Sequence, residues 1–196
     1  MLFRSIALDL DPLNLTVRIH LAVISSYARD FKTCEEEFKA VLDVEPNHFY
    51  AHIMLGTAYL WAGAEKASLR HFEAANRSAP GHPIPLFNFV FRKGRVGAIA
   101  DGRRMLDELV VQLTETGQPY QLYNRAMAEA FLGNVQGACD VLRMSAEARE
   151  LLFTSAPADP SFDRIRDHPQ FVALMREYRL PTELAPSPFA STVVDD

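Results

Sequence analysis

His48 and His52 are the two residues whose spacing comes nearest to that of a metal site. Four residues apart on a helix, they would lie on the same face. A zinc site requires three or four ligands, but no Glu follows as in the HExxH pattern, and no third ligand is apparent. We therefore predict no metal, and we interpret both histidines as surface residues, with His48 in a cap or turn.

The stretch CEEEF, at Cys34–Phe38, combines a thiol with three carboxylates. On a helix with one buried face, the carboxylates should face water, and Cys34 stands where a small packing residue is expected. The sequence DHP at 167–169 has no Ser or Cys nearby as a nucleophile, and GNVQG at 133–137 lacks the lysine and the preceding strand of a phosphate loop. The sequence therefore predicts no enzyme and no cofactor.

Basic residues cluster at Arg92, Lys93 and Arg95, and Arg103 and Arg104 follow on the next predicted helix. Such a patch could bind a carboxylate or a phosphate. Cations are also common at the end of a soluble helix, where they complement its dipole. The net charge of -5 argues against a general nucleic-acid binder. We expect no nucleic-acid partner, and the anion patch stays open as a binding hypothesis.

The composition is that of a soluble globular protein, with 48% apolar and 23% charged residues among 196. No apolar run approaches the roughly 18 residues of a membrane span, so we expect no membrane association. Two cysteines without a CxxC pattern indicate free thiols in a reducing, cytoplasmic compartment. The opening MLFRSIALDL lacks a small-residue cleavage site and is not predicted to be a signal peptide.

Three prolines, Pro12, Pro46 and Pro80, recur at intervals of 34 residues, in the stretches LDLDPLN, LDVEPNH and RSAPGHP. Proline cannot continue a helix, because it lacks the amide donor and its ring clashes with the preceding turn. Each interval has room for two helices of about 14 residues and a tight turn. We place the two turns around Asp30 and Gly63.

Matching residues occupy equivalent helical positions in the two intervals. Small residues would let paired helices approach closely, and large ones would fill the space between them. The equivalent pairs are Leu21 and Leu55, Ala22 and Gly56, Ser25 and Tyr59, Phe38 and Phe72, and Val41 and Ala75. This pattern resembles the tetratricopeptide repeat (TPR), a helix-turn-helix unit of 34 residues. The resemblance implies an all-α, right-handed superhelix with repeats at 13–46 and 47–80.

Two further helix pairs are predicted at 81–117 and 118–152, where the resemblance is weaker. Gly94 arrives about three residues early for the turn of the third pair, so we expect a short first helix there. The fourth pair should turn at Gly133 and Asn134, although Arg125 stands where the family prefers Leu. Together, four pairs and a C-terminal cap would form a single repeat domain over 1–180.

The cap is predicted at 159–180, because a terminal repeat would otherwise expose an apolar side. Asp159-Pro160 should open a short helix carrying Phe162 and Ile165, and His168-Pro169 should open a last helix. Phe171, Leu174 and Met175 would share the apolar face of that last helix. This ending also resembles repeat arrays of bacterial signalling proteins of the adenylate cyclase or winged-helix regulator type. Residues 181–196 are expected to be extended or disordered.

In the TPR family the first helix of each pair lines a concave face. Projected onto this sequence, the face comprises Ile19, His20, Val23, Ser26, Tyr27, Tyr50, Ile53, Met54, Thr57, Leu60, Trp61, Phe87, Asn88 and Phe91. These residues are mostly apolar, so the carboxylate clamp of chaperone-binding members is not expected. Either they bind an apolar segment of a partner, or several of them are buried between helices.

The resulting prediction is a non-enzymatic module that binds a protein or peptide in an apolar groove. The alternative is the C-terminal regulatory or sensory region of a larger bacterial signalling protein. The N-terminal stretch LFRSIALDL has an apolar face at Phe3, Ile6, Ala7 and Leu10. This face predicts a homodimer through the N-terminal helix, with a piece of a longer array or a frayed monomer as alternatives.

Overall fold

A computed structural model describes residues 14–117 and 121–183, which contain nine α-helices, two 3₁₀ helices and no strand. The predicted all-α fold class, with consecutive helices packed as pairs, is confirmed. The helices are α1 Leu15–Tyr27, α2 Phe31–Val44, α3 Phe49–Ala62, α4 Glu65–Ser78, α5 Pro83–Arg95, α6 Ile99–Glu115, α7 Leu122–Phe131, α8 Val135–Glu147 and α9 Pro169–Glu177, with 3₁₀ helices at Leu151–Ser155 and Pro160–Phe162.

The described residues form two compact units, the first ending at Pro80 and the second beginning at Gly81. Unit 1 contains α1 to α4, and unit 2 contains α5 to α9 with both 3₁₀ helices. The single domain over 1–180 stays a prediction. The predicted N-terminal helix with Phe3, Ile6, Ala7 and Leu10 lies outside the described residues, as does the predicted tail beyond residue 183.

Unit 1 consists of the pairs α1–α2 and α3–α4, with α2 packed on α3. Asp30 caps α2 by accepting a hydrogen bond from the Thr33 amide, 3.1 Å away. Gly63 ends α3 in the left-handed conformation, with φ of 86°, which glycine adopts without steric cost. Both predicted turns are therefore confirmed.

The two helix pairs of unit 1 bury residues at equivalent positions of the 34-residue repeat. Ala22 and Phe38 are fully buried in the first pair, and Phe72 is fully buried in the second. A Cβ atom on Gly56 would lie 2.6 Å from the Phe72 ring, so only glycine allows α3 and α4 to pack this closely. The predicted small-against-large contact is thus confirmed for Gly56, and Ala22 is buried in the same unit as expected.

Unit 2 corrects the prediction for Gly94. Gly94 lies inside α5, which has 13 residues like α1, and the turn comes at Gly97, with φ of 78°. A Cβ on Gly94 would lie 2.4 Å from the Phe131 carbonyl oxygen. The glycine is therefore explained by close packing of α5 on α7. The other predicted turn is confirmed, with Gly133 at φ of 77° and Asn134 capping α8.

The C-terminal ends of α5 and α7 meet at this contact. Gly94 is in the last turn of α5, and Phe131 is the last residue of α7. The Arg164 guanidinium donates to the carbonyl oxygens of both residues, at 3.4 Å each. The Gly94 carbonyl also accepts from the Gly97 amide at 3.4 Å, so the arginine supplies one donor to a carbonyl at the end of each helix.

The two helix starts predicted in the C-terminal segment are confirmed. Asp159 opens the second 3₁₀ helix and accepts hydrogen bonds from the Ser161 amide and the Tyr123 hydroxyl, both at 2.8 Å. Burial raises the pKa of Asp159, although these hydrogen bonds oppose the shift. Phe162 packs edge-on against Tyr123 and lies 5.6 Å from Phe171. His168 caps α9, whose Phe171, Leu174 and Met175 are buried as expected.

Candidate functional site

Helix α3 carries no Asp, Glu, Lys or Arg, and nine of its 14 residues are buried. Its less buried stripe follows the spacing i, i+4 and i+11, at Tyr50, Met54 and Trp61. Tyr50 is 41% exposed, and Met54 and Trp61 are half-buried. Polar or charged residues normally occupy the solvent side of a surface helix, so an apolar stripe there indicates a contact surface.

Helix α1 adds Tyr27 to this surface. The rings of Tyr27 and Trp61 lie 6.3 Å apart at an angle of 41°, so the last turns of α1 and α3 meet through aromatic side chains. We call Tyr27, Tyr50, Met54 and Trp61 the aromatic face of unit 1. It is a set of large apolar side chains held on two packed helices.

The other projected residues divide by burial. Ile19 and Val23 are half-buried on α1, and His20 is exposed. The buried members are Ser26, Ile53, Thr57, Leu60, Phe87, Asn88 and Phe91. Phe91 stacks on Phe131 inside unit 2, with ring centroids 5.3 Å apart. For these buried residues the structure favours the packing alternative that the sequence left open.

The basic residues of the predicted anion patch differ in their contacts. Lys93 forms an ion pair with Asp101 on α6, with Nζ 3.2 Å from the carboxylate. The Nε atom of Arg92 is buried and has no hydrogen-bond partner within the described residues, whereas Arg95 is exposed. Arg103 pairs with the buried Glu129 at 2.8 Å. Part of this positive charge is therefore neutralised within unit 2.

Two of the carboxylates in CEEEF are not where the sequence placed them. Glu37 is only 3% exposed and forms an ion pair with Arg18 at 2.7 Å, so the expectation that it faces water is wrong. Glu35 is half-buried and accepts a hydrogen bond from the Tyr59 hydroxyl at 2.7 Å. Burial alone would raise the pKa of Glu35, but hydrogen bonds from Lys39 and Tyr59 outweigh it and lower that pKa.

Cys34 packs as predicted. Its side chain is fully buried in the unit 1 core, and burial raises the pKa of the thiol to about 12. A thiol must ionise to act as a nucleophile, so Cys34 is held in its unreactive form at neutral pH.

The two histidines of the predicted motif have separate roles. His48 is the N-cap of α3 and accepts a hydrogen bond from the Ala51 amide at 3.1 Å, as predicted. His52 is only 8% exposed, so its assignment to the surface is wrong. Its Nδ1 lies 2.9 Å from Nδ1 of His71 on α4, and its Nε2 lies 2.9 Å from the Pro46 carbonyl oxygen.

His71 carried no signal in the sequence, because its contact with His52 depends on how α3 pairs with α4. His71 also stacks on Tyr59, with ring centroids 5.6 Å apart. We call His52, His71, Tyr59 and Glu35 the histidine network of unit 1.

Within residues 14–117 and 121–183, no three His, Cys, Asp or Glu side chains are grouped as metal ligands. None of the helices in the same part of the chain has the length and apolar character needed to cross a bilayer. Comparisons with protein-family models, with curated proteins and with solved structures find no match to this chain.

Proposed function

We propose that this protein is a non-enzymatic, TPR-like interaction module of the cytoplasm that binds an apolar peptide segment or helix of a partner protein. The observation that supports this most directly is the stripe of Tyr50, Met54 and Trp61 on a helix without charged residues. Helix-in-groove recognition uses apolar surfaces of this kind.

The aromatic face has the composition of a binding hot spot. Tyrosine and tryptophan bury much apolar area while immobilising few rotatable bonds, and each central hot spot contributes on the order of 2 kcal/mol. Tyr27 and Trp61 are already in ring contact, which restricts their side chains before a partner binds. A partner that covers Tyr27 and Trp61 would therefore lose little additional side-chain entropy in ordering them.

The test begins with a pull-down on the intact chain to obtain a partner, followed by affinity measurements. We expect the double substitution Tyr50→Ala, Trp61→Ala to weaken binding at least a hundredfold, because two hot spots are removed. Val44→Ala is the matched control, since Val44 is an apolar residue of unit 1 that is 55% exposed on α2. Full affinity in a folded double variant would show that the partner binds elsewhere. An equal loss of affinity in the Val44→Ala control would show that the effect is not specific to the aromatic face.

The regulatory region of a larger bacterial signalling protein is the alternative proposal, supported by the capped C-terminal ending of unit 2. The native reading frame around this chain tests it, because a catalytic or DNA-binding domain joined to the repeats is required. The homodimer also remains a proposal, and light scattering at several concentrations tests it.

A further inference from the structure

The hydrogen-bond directions in the histidine network follow from the Pro46 carbonyl. A carbonyl oxygen only accepts, so His52 must carry its proton on Nε2. In a neutral ring Nδ1 of His52 is then a bare acceptor, and the proton between the two rings belongs to Nδ1 of His71. One continuous chain of donors thus runs from α4 through α3 to the connection between α2 and α3.

We propose that His52 and His71 form a proton-sensitive latch, which ties the α2–α3 connection at Pro46 to α4 at neutral pH and releases it in acid. The latch is independent of the aromatic face, because none of its hydrogen bonds involves that face. Asn47, the residue after Pro46, lines a cleft of about 320 Å³ together with Ala74, Arg77 and Ser78 of α4. The latch therefore holds one wall of this cleft beside the other.

The surroundings of His71 oppose a positive charge. His52 and Tyr59 face it from α3, Glu35 and Lys39 act from α2, and Arg70 precedes it on α4. Burial, reinforced by His52, Arg70 and Lys39, lowers the pKa of His71 to about 4, and Glu35 opposes the shift only in part. The free Nε2 of His71 is where the first proton would bind.

Acid favours the open state of the latch, in which the hydrogen bond between His52 and His71 is broken and His71 is exposed to water. An imidazole released to water titrates near 6.5, whereas closed His71 titrates near 4. The closed latch therefore contributes its full stability above about pH 6.5, and that contribution falls as pH drops towards 4. Opening takes up one proton at His71, so the opening equilibrium rises about tenfold for each pH unit in this window.

The first measurement uses the unmodified protein. A ¹³C or ¹⁵N NMR titration of the histidine rings should place the midpoint of His71 well below 6.5. Exchange of the amides of residues 47–52, corrected for its intrinsic pH dependence, should become about tenfold faster for each pH unit below 6.5. A midpoint for His71 near 6.5, or exchange that does not respond to pH, overturns the latch.

Two variants separate the latch from His48, the other histidine at this site. His71→Gln keeps a neutral donor towards His52 and should abolish the pH dependence of exchange. His48→Asn retains an N-cap for α3 but cannot titrate, so it should keep the pH dependence. The reverse result, in which His48→Asn removes the dependence and His71→Gln leaves it, would assign the effect to the helix cap and refute the proposal.

Discussion

Gly94→Ala tests the contact that places α5 against α7. The added Cβ would lie 2.4 Å from the Phe131 carbonyl oxygen and 2.9 Å from the Phe131 Cβ. Carbon and oxygen are in contact from about 3.3 Å, so the helices must separate by roughly 0.9 Å. Because the obstacle is backbone, it cannot rotate away as a side chain could.

The expected magnitude combines two opposing terms. Overpacking against rigid structure costs about 3 kcal/mol, the upper part of its usual range. Replacing a helical glycine by alanine returns about 1 kcal/mol of helix propensity. We therefore expect a net loss of about 2 kcal/mol in the free energy of unfolding of unit 2. Separation of the helices would also weaken the stack of Phe91 on Phe131 and the Arg164 bridge.

Gly102→Ala is the matched control, since Gly102 is another buried helical glycine of unit 2. Its added Cβ would meet the Leu132 Cδ2 methyl group at 2.5 Å, and that methyl group can rotate away. We expect its stability to stay within about 1 kcal/mol of the unmodified protein. Urea unfolding followed by circular dichroism gives both values, and hydrogen exchange of α5 and α7 localises the effect. Equal stability of the two variants would refute the reasoning.

The remaining stability predictions concern one packing contact and one helix cap. Gly56→Leu should lower the stability of unit 1 by about 1–3 kcal/mol, because its side chain would overlap the Phe72 ring. Fluorescence of Trp61, the single tryptophan, reports this unit, and an unchanged melting temperature would count against the packing. Glu150 accepts hydrogen bonds from the Leu122 and Tyr123 amides at the start of α7, at 3.2 and 2.9 Å. Glu150→Ala should therefore cost about 1–2 kcal/mol in urea unfolding, whereas wild-type stability would contradict this capping role.

The turns and helix starts could be predicted from the sequence because they depend on local chemistry. Proline and the left-handed glycine conformation act on the residues next to them, so Gly63 and Gly133 marked turns correctly. Asp159 and His168 were also correct as helix starts, since a cap depends only on the next few residues.

The predictions from sequence were wrong where a residue's environment is set by a contact with a residue distant in sequence. Glycine is typical of turns, but at Gly94 the lack of a Cβ atom allows close packing against Phe131, which is 37 positions away in sequence. Glu37 is buried because Arg18 on α1 neutralises it, and His52 is buried because His71 and Pro46 satisfy both ring nitrogens. Half of the projected groove was likewise buried, since period alone does not distinguish a concave face from a helix interface.

Site-specific photo-cross-linking tests the central claim, that partners bind the aromatic face, most directly. A benzophenone amino acid would replace Tyr50 in one preparation and Val44 in another, and each would be irradiated with the partner recovered by pull-down. Both positions are exposed in unit 1, but only Tyr50 belongs to the aromatic face. We expect cross-linking of the partner from position 50 and none from position 44. Cross-linking from position 44, with none from position 50, would contradict it.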